Sequence, residues 1–339
     1  MRKRRREDSA PFIIAEIGVN HDGSEERALE LIDAARQAGA DAVKLQLFKA
    51  ERLMHRGAGF ARYQADRVAD ASPIEMLRRY ELPSPRRVVS AIRQAGLRPV
   101  ITPFSPGDCQ LLAELKPYAV KIASPDIANP VLIREAVKLR RPLLVSTGAA
   151  TMQEVERAAR WLTQWKADFA FLHCISSYPT PNEQAHLGWI HQLTRRFAVP
   201  VGFSDHTTDP LAGALAVAAG ATIIEKHLTY DRAAPGPDHS ASFDPPEFAR
   251  YVQSIRHAQR LVGQGAKRIL AIERDVRRVS RQSLVLARSV QAHQAIRRKD
   301  LTTQRPAAGI PASEIETVIG RALRRPQQAG VMLKWNMLA

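Results

Sequence analysis

The sequence predicts an α/β protein in which a (β/α)8 barrel is followed by a small second domain. Eight short, apolar, β-branched runs recur along the chain, amphipathic helical patterns lie between them, and the charge of the chain shifts near residue 277. Strands that alternate with helices form right-handed βαβ units and a parallel sheet. Eight such units over about 250 residues fit a closed barrel better than an open sheet.

The predicted elements follow in a regular order. The strands are predicted at Phe12–Ile17, Ala42–Leu47, Pro99–Thr102, Ala119–Ala123, Leu143–Ser146, Phe169–Cys174, Pro200–Phe203 and Thr222–His227. Helical patterns cover Glu25–Ala38, Arg86–Ala95, Thr151–Trp165 and Leu211–Ala219, and several end at a glycine, a common helix terminator. Residues 49–82 are predicted as an elaborated connection after the second strand, and Phe248–Val262 as the helix that closes the barrel.

After that helix the pattern changes. Residues 263–281 are rich in Gly and Arg, and a short strand at Ser283–Ala287, polar turns and a Pro/Gly-marked segment follow. About sixty residues are marginal as an independent domain but adequate when docked on a larger one. We therefore divide the chain into a basic N-terminal arm (1–10), a barrel domain (11–265), a linker (266–280) and a C-terminal domain (281–339).

The charge of the chain is strongly positive. The 339 residues include 50 Lys+Arg and 34 Asp+Glu, a net charge of +16, which first suggests nucleic acid as a partner. However, residues 1–8 carry +3 and residues 277–339 carry +9, which leaves +4 for the long middle of the chain. The C-terminal segment has no RNP-like aromatic motif, zinc pattern or clear recognition helix. We therefore expect no nucleic-acid partner.

Other features of composition concern the cellular compartment. The two cysteines, Cys109 and Cys174, indicate a reducing compartment without a disulfide framework. No segment approaches the roughly 18 apolar residues of a membrane span. The basic residues 2–6 are followed by acids rather than by the apolar stretch of a signal peptide. We expect a cytoplasmic protein that does not enter a membrane.

All eight predicted strands finish in polar or charged residues. These are Glu16, Lys44, Gln46, Thr102, Lys121, Ser124, Ser146, Thr147, His173, Ser204, Asp205, His206, Glu225, Lys226 and His227. In this barrel the active site lies where the strands end. One such residue is usually explained by solvation, but eight polar strand ends that follow apolar runs predict a site.

Part of this set suits a phosphate, or a phosphate together with a carboxylate, because two cations and several hydroxyl donors can form charge-assisted hydrogen bonds. The members are Lys44, Lys121, Thr102, Ser124, Ser146 and Ser204. Each serine could alternatively cap the helix that follows it, and for Ser146 the two interpretations are equally supported.

Two histidines and an acid suggest further chemistry. His206 and His227 end neighbouring strands and could bind one divalent cation, with Asp205 and Glu225 orienting the rings. Two histidines alone are a weak metal signal. Glu16 ends an apolar run, so it needs a partner or a purpose. It could bind a sugar hydroxyl, relay a proton or form a buried salt bridge with a lysine, and these roles are compatible.

These motifs, in this order, resemble the sialic acid (nonulosonic acid) synthases of the N-acetylneuraminate synthase type. That family condenses phosphoenolpyruvate with an N-acylated mannosamine-type sugar. The matching segments are residues 15–23, 41–46, 121–124, 146–148, 173–181, 204–207, 225–227 and 235–239. Residues 281–284 and Arg305-Pro306 resemble the family's antifreeze-like (SAF) domain, a β-clip fold that follows a TIM barrel.

The resemblance implies a role for each site residue. Phosphoenolpyruvate would be held by Lys44, Thr102, Lys121, Ser124, Ser146 and Ser204. The acceptor sugar would contact Gln46, Asp126, Ser176, Tyr178, Asp238 and Arg305, the last from the partner subunit of a domain-swapped homodimer. His206 and His227 would bind a divalent metal ion, Mn²⁺ or Mg²⁺, and would act in catalysis together with Glu16.

The resemblance also implies a reaction in the transferase class EC 2.5.1. The metal polarises the sugar aldehyde, C3 of phosphoenolpyruvate attacks it, water adds at C2, and phosphate leaves by C–O cleavage. Ala123, Pro125-Asp126 and Ser176 depart from the common family pattern, so the sugar stays open between N-acetylmannosamine and a bacterial diacetamido-trideoxy hexose, which would lead to legionaminic- or pseudaminic-type acids.

Two other functions compete with this interpretation. One is another phosphoenolpyruvate-dependent barrel synthase acting on a phosphorylated aldose, although no spare basic pair near the strand ends suggests a second phosphate site. The other, less favoured, is an Arg-rich module that binds anions or nucleic acid.

Overall fold

The computed structural model describes residues 10–59, 72–263 and 266–339, which form two compact units that divide at residue 264. Most of the predicted N-terminal arm, the middle of the connection predicted at 49–82 and the predicted domain boundary at 265 lie outside the described residues. Among the described residues, no helix has the length and apolar character needed to cross a membrane.

The first unit is a closed barrel of eight parallel strands in sequence order, which confirms the predicted fold class. The strands are β1 Phe12–Glu16, β2 Ala42–Leu47, β3 Arg98–Pro103, β4 Ala119–Ile122, β5 Leu143–Ser146, β6 Phe169–Cys174, β7 Val201–Asp205 and β8 Ile223–His227. The barrel closes where β1 pairs with β8, so that Glu16 lies opposite His227. Each predicted strand is present, with its ends within two residues.

Helices surround the strands. They are α1 Glu25–Gln37, α2 Ala50–Leu53, α3 Pro73–Arg79, α4 Pro85–Gln94, α5 Pro106–Leu115, α6 Pro130–Lys138, α7 Met152–Gln164, α8 Gly188–Arg196, α9 Ala212–Ala218 and α10 Pro245–Val262. Capping boxes at Ser105, Thr151 and Asp244 start α5, α7 and α10, which fixes how the chain enters each helix. The short helices α2 and α3 lie in the predicted connection after β2.

The alternation of side chains along each strand creates the site. Residues two apart point to the same face, so an inward apolar residue near the start of a strand is followed by an inward polar residue near its end. Ile14 precedes Glu16 and Val100 precedes Thr102 in this way. The apolar members form a buried plug inside the barrel: Ile14, Ala42, Val100, Ala119, Leu144, Ala170, Leu172 and Ile223. The polar members lie above that plug.

The second unit is small and has its own core. Strands β9 Ser283–Leu286 and β10 Leu301–Gln304 pair in antiparallel fashion, and the short helices α11 Arg274–Ser280 and α12 Ile315–Val318 belong to the same unit. The core consists of Leu284, Leu286, Val290, Ile296, Ile310, Val318, Leu323, Leu333 and Leu338. The strand predicted at Ser283–Ala287 is thus confirmed as β9. Arg305 directly follows β10 and is exposed.

Candidate active site

A cavity of about 220 Å³ lies at the carboxyl ends of the barrel strands. It brings together the six residues assigned to phosphoenolpyruvate, the two histidines, and three of the six residues assigned to the sugar. These are Lys44, Thr102, Lys121, Ser124, Ser146, Ser204, His206, His227, Gln46, Tyr178 and Asp238. Six of the eight strands therefore contribute a predicted polar residue to the lining, whereas Glu16 of β1 and His173 of β6 are not part of it.

Buried charges alternate at the floor of the cavity. Lys44 Nζ lies 2.7 Å from Glu16 Oε2, and the two form an ion pair whose geometry is not that of a hydrogen bond. The same ammonium group donates to Glu225 Oε1 at 3.0 Å. Glu225 Oε1 also accepts from Ser204 Oγ at 2.8 Å and lies 3.7 Å from Lys121 Nζ. Glu16 thus forms the buried salt bridge that its position suggested, and it lies behind Lys44 rather than in the cavity lining.

This network sets the protonation of its members. Burial lowers the pKa of Lys44 to about 8, although the carboxylate of Glu225 opposes that shift. Burial alone would raise the pKa of Glu225, but the ammonium groups of Lys121 and Lys44 outweigh it and hold that pKa below its ordinary value. At neutral pH the cavity floor therefore contains the ammonium group of Lys44 beside the ionised carboxylate of Glu225.

Several donors in the cavity are left for a ligand. Thr102 Oγ1 and Ser146 Oγ are buried and have no hydrogen-bond partner among the described residues. Thr151, not Ser146, caps α7, so the helix-cap interpretation of Ser146 is wrong. Ser124 Oγ accepts from the Gly148 amide at 3.1 Å. Buried polar groups without partners are destabilising, and an anion that accepts hydrogen bonds from them would satisfy them.

The rings of the two histidines lie in an edge-to-face arrangement with centroids 5.5 Å apart. Nδ1 of His206 lies 2.8 Å from the carbonyl oxygen of Ile175; a proton on that nitrogen leaves the lone pair on Nε2. Nδ1 of His227 is buried without a hydrogen-bond partner among the described residues and lies 3.6 Å from Asp238 Oδ2. Burial lowers the pKa of His206 to about 3 and that of His227 well below its ordinary value, so both rings are neutral.

Neutral imidazoles with available lone pairs fit a divalent cation. In the described part of the chain, no three His, Cys, Asp or Glu residues converge as a metal cluster, so such a cation would take further ligands from water or substrate. The expected support of the rings by Asp205 and Glu225 is wrong. Asp205 accepts from Tyr251 Oη at 2.7 Å and from the Thr207 amide at 2.8 Å, while Glu225 turns to the lysines.

Only some of the residues assigned to the sugar lie at the cavity. Gln46, Tyr178 and Asp238 line the cavity, and the ring of Tyr178 packs on His206 with centroids 4.1 Å apart. Asp126 is half-buried, which raises the pKa of its carboxyl, and it lies outside the lining, as does the exposed Ser176. Arg305 belongs to the second unit.

One wall of the cavity was not predicted. It is apolar and comes from the loop after β1, the connection that contains α2 and α3, and the end of β3. The members of this apolar wall are Val19, Phe48, Leu53, Met76, Leu77, Tyr80 and Phe104. Cys174, 3.4 Å from Ser124 Oγ, also lines the cavity although it was not predicted there. Glu225, one of the predicted polar strand ends, lines it as well. The helical spacing of Met76, Leu77 and Tyr80 is the signal that could have revealed the wall.

Comparison with known proteins identifies the family. Residues 31–267, more than half of the chain, match the NeuB family. The chain belongs to the NeuB family. Residues 281–339 match the SAF domain, so the family resemblance and the second domain drawn from the motifs are both confirmed.

Relatives of this NeuB-family chain are similar over nearly its whole length. It is 37% identical to the N,N'-diacetyllegionaminic acid synthase of Legionella pneumophila, covering 96% of this chain and 94% of that protein. It is 35% identical to the N,N'-diacetyllegionaminic acid synthase of Campylobacter jejuni, with coverage of 91% and 95%. The crystal structure of an N-acetylneuraminic acid (sialic acid) synthetase from Leptospira borgpetersenii, 31% identical, superposes with a TM-score of 0.72 over 79% of this chain and 90% of that one.

Proposed function

We propose that this NeuB-family protein is a nonulosonic acid synthase that condenses phosphoenolpyruvate with an N-acylated amino sugar and releases phosphate. The observation that carries the proposal is the cavity floor, where two buried ammonium groups lie beside the unpartnered hydroxyls of Thr102 and Ser146. The synthases among its relatives support the same reaction class.

Phosphoenolpyruvate fits the polar side of the cavity by charge. Lys44 and Lys121 supply positive charge to its phosphate and carboxylate, and the free hydroxyls donate to the remaining oxygens. A synthase for a phosphorylated aldose would need a second cationic site. Of the described residues that line the cavity, these two are the only lysines or arginines, which favours an unphosphorylated acceptor.

The histidines and the lysines of the cavity have different roles in this reaction. A divalent cation held by His206 and His227 would supply Lewis-acid polarisation of the acceptor aldehyde. The lysines orient phosphoenolpyruvate so that its C3 forms the new C–C bond with that aldehyde carbon, and the aldehyde oxygen gains a proton. Water then adds to the positively charged C2, loses a proton, and the C2–O bond to phosphate breaks. Phosphoenolpyruvate, sugar and water thus give the nonulosonic acid and inorganic phosphate.

Glu16 acts through other residues in this scheme. It pairs with Lys44, and Gln46 Nε2 lies 3.5 Å from its Oε1, so it orients one residue for each substrate. A Cβ on Gly18 would lie 2.2 Å from Glu16 Oε1 and 2.4 Å from Gln46 Cγ, which shows how closely this group is packed.

The apolar wall favours a diacetamido-trideoxy hexose as the acceptor. Such a sugar carries a C6 methyl group and a second acetyl methyl group, which gain by contact with Phe48, Met76 and Tyr80. N-acetylmannosamine would place hydroxyl groups in those positions, and apolar side chains cannot satisfy them. The legionaminic acid synthases among the relatives support this choice.

The proposal is tested by incubating the protein with phosphoenolpyruvate, Mn²⁺ and each candidate sugar while phosphate release is measured. We expect release with the diacetamido-trideoxy hexose, its loss in His206→Ala, and normal release in His257→Ala, which truncates an exposed histidine on α10. No release with any sugar, or release that survives His206→Ala, contradicts the proposal.

A further inference from the structure

Lys226 is a buried lysine that the proposed function leaves without a role. Its neighbours in β8, Glu225 and His227, point into the barrel, so the side chain of Lys226 points to the opposite face of the strand. The residue is 0% exposed. A lysine is rarely buried completely unless its ammonium group is fully engaged.

The ammonium group of Lys226 contacts three backbone carbonyl oxygens. It donates to the carbonyl of Asp205 at 3.4 Å, to that of Thr207, and to that of Ala241 at 3.3 Å. An ammonium group has three protons, so these bonds use its full capacity. Its Nζ also lies 4.3 Å from the ring centroid of Phe243 and 3.9 Å from Asp205 Oδ2, which compensate for the loss of water.

Through these hydrogen bonds Lys226 holds the backbone next to the candidate metal ligands. Asp205 and Thr207 flank His206 on both sides, so two bonds fix the backbone that carries its imidazole. Lys226 itself directly precedes His227. Thus one buried cation links the backbone positions of both histidines across β7 and β8, which pair at Asp205 and Lys226.

The third carbonyl belongs to the loop that carries Asp238. The Ala241 amide donates to the Asp238 carbonyl at 3.2 Å, and Ser242 Oγ donates to the same oxygen at 2.7 Å. The carboxylate of Asp238 in turn lies 3.6 Å from His227 Nδ1. The ammonium group therefore also fixes the loop that covers the second histidine.

We propose that Lys226 is a positioning residue that sets the geometry of the His206–His227 pair and, through it, the affinity of the site for a divalent cation. The inference rests on the metal assignment within the proposed function. Residues that orient metal ligands from outside the coordination sphere typically contribute about 10- to 100-fold in metal affinity or activity. A residue that served only the stability of the barrel would leave that affinity unchanged.

The test uses Mn²⁺ alone, without substrates, and follows its binding by electron paramagnetic resonance. Lys226→Met removes the ammonium group but keeps most of the side-chain volume, and we expect it to weaken Mn²⁺ binding by about 10- to 100-fold. The matched control is Tyr251→Phe, which removes the hydroxyl that donates to Asp205 at 2.7 Å from the same buried cluster. It leaves the three lysine–carbonyl bonds in place, so we expect lower stability in urea with unchanged Mn²⁺ affinity.

The outcomes separate this inference from the proposed function. If the wild-type protein binds no Mn²⁺, the metal assignment fails and the inference fails with it. If the wild type binds Mn²⁺ and Lys226→Met binds it equally well, only the inference about Lys226 is overturned. Should Lys226→Met not fold, Lys226→Gln retains a shorter donor, and we expect it to weaken Mn²⁺ binding. If neither variant folds, Lys226 serves the stability of the barrel, and the proposal is overturned.

Discussion

The two lysines of the cavity floor should respond differently to removal. Lys44 is surrounded by two carboxylates, at 2.7 Å from Glu16 and 3.0 Å from Glu225. Lys121 lies 3.7 Å from Glu225 and donates to the Ile122 carbonyl only at 3.5 Å. Most of the interactions of Lys44 are therefore internal, whereas Lys121 keeps more of its donor capacity for a ligand.

The expected magnitudes follow from these contacts. Lys44→Met leaves Glu16 buried without its ammonium partner, and a broken buried pair costs about 3–5 kcal/mol of unfolding free energy. Lys121→Met leaves Glu225 paired with Lys44 and Ser204, so its loss of stability is smaller. Lys121→Met would also remove the charge-assisted hydrogen bond that we propose this lysine donates to phosphoenolpyruvate. Such a bond is worth about 1.5–3 kcal/mol, which corresponds to about 10- to 150-fold in KM.

Urea unfolding and steady-state phosphate release measure the two effects in the same preparations. Lys138→Met is the control, because this lysine lies on the exposed surface of α6 and pairs only with Glu135 among the described ion pairs. We expect it to change neither quantity. If Lys121→Met unfolds as easily as Lys44→Met while its KM for phosphoenolpyruvate stays normal, the division of roles between the lysines is refuted.

Four further predictions concern the pH profile, the packing at Gly148, the choice of acceptor sugar and the sharing of Arg305 between subunits. Because the ammonium form of Lys44 binds anions and its pKa is about 8, kcat/KM for phosphoenolpyruvate should fall as the pH rises above that value. Gly148→Ala should lower kcat/KM by about 10-fold, because its Cβ would lie 2.4 Å from Ser176 Oγ and 2.7 Å from the Oγ of Ser124, which we propose binds phosphoenolpyruvate. Met76→Thr should reduce the preference for a diacetamido-trideoxy hexose over N-acetylmannosamine by about 10-fold in the ratio of their kcat/KM values. If Arg305 serves the active site of a partner subunit, an inactive Arg305→Ala protein mixed with an inactive His206→Ala protein should regain activity.

Each of these predictions has a control or a contradicting result. A flat kcat/KM profile between pH 7 and about 10, the ordinary range of lysine, contradicts the pKa of Lys44. Gly188→Ala controls for Gly148→Ala, because a Cβ there meets nothing within 4 Å. An unchanged sugar preference in Met76→Thr contradicts the role of the apolar wall in selecting the sugar. Mixed variants that stay inactive contradict the shared active site implied by the family resemblance.

The barrel was predictable because local signals agree with the fold. A run such as Phe12–Ile17 is apolar and β-branched, and its alternation places Ile14 in the plug and Glu16 two residues above it. The same rule explains the error at Asp205. Ser204 lines the cavity, so its neighbour Asp205 must point to the other face, where it bonds Tyr251. Alternation alone could have corrected that expectation.

The pairing of charges was less predictable. Two lysines and two glutamates point into the barrel near the ends of their strands, and the distances between their charged groups, 2.7 to 3.7 Å, decide which of them pair. The sequence does not reveal that Glu225, rather than Glu16, contacts both Lys44 and Lys121. The apolar wall was missed for another reason, since polar strand ends mark a site whereas Met76 looks like an ordinary core residue.

The fate of the bridging oxygen of phosphoenolpyruvate reports directly on the proposed C–O cleavage. The substrate is labelled with ¹⁸O between C2 and phosphorus and incubated with the protein, Mn²⁺ and the diacetamido-trideoxy hexose, and both products are analysed by mass spectrometry. Cleavage of the C2–O bond predicts phosphate and nonulosonic acid in equal amounts, with the label in the phosphate. Label retained in the keto acid, or no phosphate above a control without sugar, would contradict it.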